Sequence, residues 1–182
     1  MSGEIVSEKV NLIEINIKKI SQLFNSLDPS PFLDKDLDDD AFEYIVSSVY
    51  EHSSKRKHKI LIHLPKNQRT KISELEIKRA VHNFFEYKTD LANKKIQRNF
   101  KEAEFSLVVG FVFLFACLGF RDYLLTFHNS PILEILTEGL LVGSWVAMWK
   151  PISNILYDWW PLYQDRNIYM NIANMDIEFR YT

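Results

Sequence analysis

Arg121, Glu134 and Glu138 are charged residues inside the most apolar part of this 182-residue chain. A charge in hydrocarbon costs about 2.5–3.5 kcal/mol at the bilayer centre on insertion scales, and less near the interface. Opposite charges at one depth relieve that cost by pairing. If the chain folds back at Asn129–Ser130, a rise of about 1.5 Å per residue brings Arg121 and Glu138 to the same level, roughly 12 Å from the tip. The expectation is a salt bridge between Arg121 and Glu138, within the hairpin or between protomers, with Glu134 one turn away. The alternative is that each charge snorkels separately to the headgroups.

Other residue sets with the right chemistry have the wrong spacing. Asp34, Asp36, Asp38, Asp39 and Asp40 suggest a calcium loop. An EF-hand needs Gly at its sixth position and Glu at its twelfth, and counting from Asp34 those places hold Asp39 and Ile45. Acidic residues that stabilise a helix N-terminus are the better reading. His82 and Glu86 are an i, i+4 pair, but two ligands without a third do not make a zinc site. His58 and His63 fall on opposite sides of a strand. Arg121-Asp122 followed by His128 fits the loose spacing of HEPN-type ribonucleases, yet it falls at the expected outer membrane face, away from RNA. No nucleophile elbow, phosphate loop or metal cluster is present. No catalytic residue, metal or cofactor is therefore expected, and the chain does not read as an enzyme.

The elements that position these charges are two apolar helices. Phe105–Phe120 carries no charge, and Tyr123–Phe127 completes a span of the required length, roughly 20 residues. His128-Asn129-Ser130-Pro131 has turn composition. A second span follows from Ile132 to about Leu156. Gly110, Gly119, Gly139 and Gly143 all lie in this stretch, although glycine costs about 1 kcal/mol in a water-soluble helix. Gly139 and Gly143 form GxxxG, and Ala147 extends the small stripe by a turn, as at close helix contacts in lipid. Tyr157, Trp159, Trp160 and Tyr163 form an aromatic belt at the inner end. Lys150 beside them reads as an interface anchor, and Pro151 as a kink or a loosened last turn.

Lys88, Lys94, Lys95, Arg98 and Lys101 precede the first span, and the turn between spans has no Lys or Arg. Positive flanks stay inside, so both termini are expected in the cytoplasm. A net charge of −2 gives no electrostatic case for nucleic acid. The single cysteine, Cys117, falls in the first span, in keeping with a reducing cytoplasmic domain. The N-terminal residues MSGEIVSEKV lack an apolar signal-peptide core.

Outside the spans, Val10–Lys18, Lys59–Leu64 and Met175–Tyr181 alternate apolar and polar residues, as half-buried strands do. Lys19–Leu27 has the spacing of a short amphipathic helix, ended by Pro29 and Pro31. Asp38–His52 is a second helix, with Phe42, Ile45, Val46 and Val49 on its buried stripe. Ser73-Glu74-Leu75-Glu76 has capping-box form, and one helix is predicted from there to Phe127. A short helical turn is predicted at Asn167–Ala173.

The predicted fold is thus an α+β membrane protein: a two-helix transmembrane hairpin with a small cytoplasmic α/β domain of about three strands, formed by both termini, and a long helix entering the membrane. Its parts are residues 1–72, the N-terminal part of that domain; 73–104, a helical stalk; 105–127, the first span; 128–131, an external turn; 132–156, the second span; and 157–182, the aromatic belt and a returning strand.

Ser21–Phe32 (SQLFNSLDPSPF), Asp36-Leu37-Asp38, His63-Leu64-Pro65 and Gly139–Leu162 with its YDWWPL ending resemble an uncharacterised family of small bacterial two-span membrane proteins. The resemblance covers most of the chain. It implies the bacterial inner membrane and supplies no activity.

The leading functional expectation is a homo-oligomeric membrane assembly, a pore or a scaffold, associating through small-residue stripes and intramembrane charges. Its alternative is a membrane-anchored binding module, in which the cytoplasmic domain recruits a cytosolic protein partner through the rigid Asp28–Phe32 segment and the acidic run after it. The expected partners are the lipid bilayer, other copies of the chain or such a protein, and not nucleic acid.

Overall fold

The computed structural model describes residues 11–51, 58–68, 74–126 and 131–182. The protein is mostly helical, with two long apolar helices and a small three-stranded sheet. Strands β1 (Asn11–Asn16), β2 (His58–Leu64) and β3 (Asp176–Tyr181) lie in the order β1-β2-β3, all parallel. Parallel neighbours need long crossovers. Helix α1 (Asp39–Glu51) lies between β1 and β2. Between β2 and β3 come α2 (Glu74–Leu125), α3 (Pro131–Ser153) and α4 (Trp159–Ala173). The chain divides into two compact units, residues 1–91 with 165–182, and residues 92–164.

In the first unit, alternation along the strands sends Ile13, Ile15, Ile60, Ile62, Leu64 and Ile177 to one face. They pack with Ile45 and Val49 of α1, Ile77, Val81 and Phe85 of α2, and Ile172 of α4. The opposite face is charged. Lys59 on the central strand pairs with Asp176 at 3.1 Å and also with Glu178, and these contacts raise the lysine pKa and lower that of Asp176. Leu61 lies buried on this face.

Two sequence expectations are corrected. Lys19–Leu27 is not an amphipathic helix, because only the 3₁₀ turn Ile20–Gln22 forms there. Its backbone groups are taken elsewhere. Gln22 Oε1 accepts from the N–H groups of Lys18 and Lys19, at 2.8 and 3.1 Å, while Leu23 and Asn25 exchange bonds with Asp38 and Asp36. The short turn at Asn167–Ala173 is instead the last part of α4, which continues without a break from α3 through a π-turn at Asn154–Asp158.

The second unit is built on α2 and α3. Each contains a window long and apolar enough to cross a membrane, and only 17% of each window is buried. Residues 127–130, and so most of the expected external turn and His128 of the ribonuclease-like spacing, lie outside the described residues. So do Ser73 of the capping box, His52 at the end of the second predicted helix, and Val10 at the start of the first predicted strand.

Candidate binding cleft and the hairpin seam

A cleft of about 360 Å³ opens in the first unit, lined by Asp28, Ser30, Asp34, Asp36, Asn83, Phe84 and Tyr87. One wall is the loop after the 3₁₀ turn, where Pro29 and Pro31 fix φ. Asp28 closes that loop on itself. Its carboxylate accepts the backbone N–H of Ser30 at 2.9 Å and that of Asp36 at 2.7 Å. The Asp36 N–H, then the bonds from Ser30, hold the Asp28 pKa down at about 2, from an ordinary 3.8. The other wall is α2, whose Asn83 Nδ2 donates to the Leu33 carbonyl at 3.0 Å and pins the loop to the helix.

The chemistry of the cleft follows from this lining. The oxygens of the ionised Asp28 are occupied by backbone N–H groups, and Asp34 and Asp36 add two further carboxylates to the lining. Tyr87 is half exposed and presents a ring beside them. The edge of this wall already holds a cation: Lys88 Nζ lies 4.9 Å from the Phe84 ring centroid and 5.3 Å from that of Phe42. Carboxylates next to aromatic rings suit an ammonium or guanidinium group carried on an apolar stem. Among the described residues, no group of three or more His, Cys, Asp and Glu is arranged to hold a metal ion. His82 Nε2 instead donates to the Met175 carbonyl at 2.9 Å. The acidic run divides its labour: Asp34 and Asp36 line the cleft, while Asp38 accepts the Asp40 N–H at 3.2 Å at the start of α1.

In the second unit, the two long helices meet along a line of small and polar residues. Ala103 and Cys117 of α2 are buried, as are Thr137, Ser144, Met148, Pro151 and Asn154 on the α3 side. Gly110 lies at a close approach: a Cβ there would lie 2.9 Å from Met148 Sδ and 3.4 Å from Pro151 Cγ. Thr137 and Ser144 donate their hydroxyls to carbonyls of their own helix, at 2.8 and 2.6 Å. Asn99 Nδ2 and Asn154 Oδ1 are buried without a hydrogen-bond partner among the described residues.

Folding at Asn129–Ser130 predicts that Gly110 lies level with Trp149, and the observed contacts to Met148 and Pro151 bracket that position. The predicted depth of Arg121 against Glu138 rests on the same fold. Within the chain, however, Arg121 Nη1 lies 3.6 Å from Asp122, and no ion pair joins it to Glu138. The reason is rotation. Thr137 faces the seam, and the next residue points about 100° away at 3.6 residues per turn. Glu138 and Glu134 are both exposed.

Of the small stripe of α3, only Ala147 reaches the seam, its carbonyl oxygen 3.8 Å from a Cβ built on Gly110. Nothing lies within 4 Å of a Cβ built on Gly139 or Gly143, and Ala147 is only partly buried. Beyond α3, Tyr157, Trp160 and Tyr163 are exposed, and Trp159 contacts Trp160 and Tyr163 edge-on at 5.6 and 6.1 Å. Lys150 is bound to Asp158 at 3.1 Å rather than standing alone. No protein-family model, curated protein or solved structure matches the chain.

Proposed function

We propose that the protein is a membrane-anchored binding module, in which α2 and α3 cross the inner membrane of a bacterium and the cleft recruits a basic segment of a cytosolic partner. Anchoring is supported by the surface of the second unit. Phe105, Val112, Phe115, Ile135, Trp145 and Trp149 are 65–75% exposed. Apolar exposure on this scale marks a membrane or a large interface. Basic residues ahead of the first span favour a cytoplasmic location for both termini.

The observation that carries the binding reading is the cleft itself: a loop rigidified by two prolines and the Asp28 carboxylate sets two further carboxylates beside an exposed tyrosine. The test is binding of a Lys/Arg-rich peptide to the full chain in nanodiscs. Asp34→Asn with Asp36→Asn is expected to weaken binding by roughly thirtyfold, because two charge-assisted contacts on the order of 1 kcal/mol each are lost. Equal affinity for the wild type and this variant would refute the reading.

A second reading, self-association into a scaffold or pore, is favoured by a different observation. Gly139 and Gly143 lie off the hairpin's own seam, with nothing within 4 Å of a Cβ built on either, and are open to a second copy. Small-residue stripes of this kind support close helix contact in lipid.

A further inference from the structure

The second long helix is interrupted where Pro151 is followed by a π-turn at Asn154–Asp158. Pro151 has no N–H, so the Ala147 carbonyl lacks its α-helical donor. Asn154 is 5% exposed and its Oδ1 has no hydrogen-bond partner among the described residues. Lys150 Nζ reaches across the interruption to Asp158 Oδ2 at 3.1 Å.

These features are coupled by helix geometry. In a regular α-helix of 3.6 residues per turn, position i+8 lies about 80° round the axis from position i. A π-turn, with i→i+5 bonding, holds more residues per turn and brings that position back towards its starting face. Lys150 and Asp158 are eight apart, so the ion pair and the π-turn favour each other. The buried Asn154 Oδ1 works in the opposite sense, because any rearrangement that gives this acceptor a donor is favoured by it.

We propose that residues 150–158 form a two-state joint, with the Lys150–Asp158 pair as the latch on the π-turn and the unpartnered Asn154 as the element that biases it to open. Opening takes the turn to α-geometry, carries Asp158 off the face of Lys150, and rotates Trp159 and Trp160 of the aromatic belt with it.

The test is amide hydrogen exchange over residues 150–160 of the full chain in nanodiscs. It is paired with spin-label distances between positions 142 and 164, whose side chains are exposed. Asp158→Asn is expected to accelerate exchange about two- to fivefold, the range of an exposed ion pair, and to add a second distance population. Lys150→Asp combined with Asp158→Lys restores the wild-type values. Asn154→Leu slows exchange. At 1 M salt the wild type moves to the Asp158→Asn rate, and that variant does not change further. The proposal is overturned if Asp158→Asn exchanges like the wild type, if the charge swap fails to restore the wild-type values, or if Asn154→Leu accelerates exchange.

Discussion

Asp28 shows how one side chain sets the shape of a cleft. Its two oxygens hold the N–H groups of Ser30 and Asp36, and these bonds need the ionised form. Its folded pKa of about 2 lies below the ordinary 3.8. A carboxylate depressed in this way adds stability above its unfolded pKa, and that stability is lost as pH falls towards the folded value. The loop is therefore expected to loosen between about pH 4 and pH 2. Asp28→Asn should be looser already at neutral pH and should lack that step when exchange of the Ser30 and Asp36 amides is followed against pH. An identical acid transition in the variant would remove Asp28 from this role. Proximity alone would not have exposed it: the sequence shows Asp28 just before Pro29 and Pro31 and ahead of the acids from Asp34 on, but its acceptance of two backbone donors is a tertiary fact.

At the scale of elements, the two helices of the hairpin show which contacts are legible in a sequence. Depth was, because rise per residue is constant: the fold at Asn129–Ser130 places Gly110 opposite the Met148–Pro151 turn, where it is found. Azimuth was not. Which side of α3 faces α2 depends on packing, and the seam took Thr137, Ser144 and Met148 rather than Gly139 and Gly143. Paired substitutions follow. Gly110→Ile drives a branched side chain into Met148 and Pro151 and is expected to destabilise the hairpin by about 1–3 kcal/mol in detergent unfolding. Gly143→Ile meets nothing within the chain, so it should leave that stability unchanged. If the stripe is a contact between copies, Gly143→Ile lowers the mass of the particle in nanodiscs while Gly110→Ile spares it. An equal loss of stability in the two variants would mean that the seam lies elsewhere.

For the whole molecule, strand positions and the long helix from residue 74 could be read from periodicity, because period-2 alternation and an uninterrupted proline-free run are local signals. The parallel order β1-β2-β3 could not, since register between distant strands leaves no local trace. The cleft falls between these cases. Its loop, Asp28–Asp36, stands out by its prolines and acids, whereas Asn83, Phe84 and Tyr87 read as one more helix face until the fold brings them to the loop. The longer extent of α4 was hidden by Pro161, which reads locally as a helix break although the helix runs on through it. What joins these parts in the proposed account is the single side of the bilayer on which the sheet must assemble: β1 and β2 precede the hairpin, β3 follows it, and all three pair in one sheet.

That requirement can be checked by attaching a small epitope to each end of the full chain and probing intact and permeabilised spheroplasts with an antibody that cannot cross the membrane. The account predicts that the protein stays in the membrane fraction after alkaline extraction and that both epitopes are reached only after permeabilisation. An epitope detected at either end of intact spheroplasts, or recovery of the protein in the soluble fraction, would contradict it.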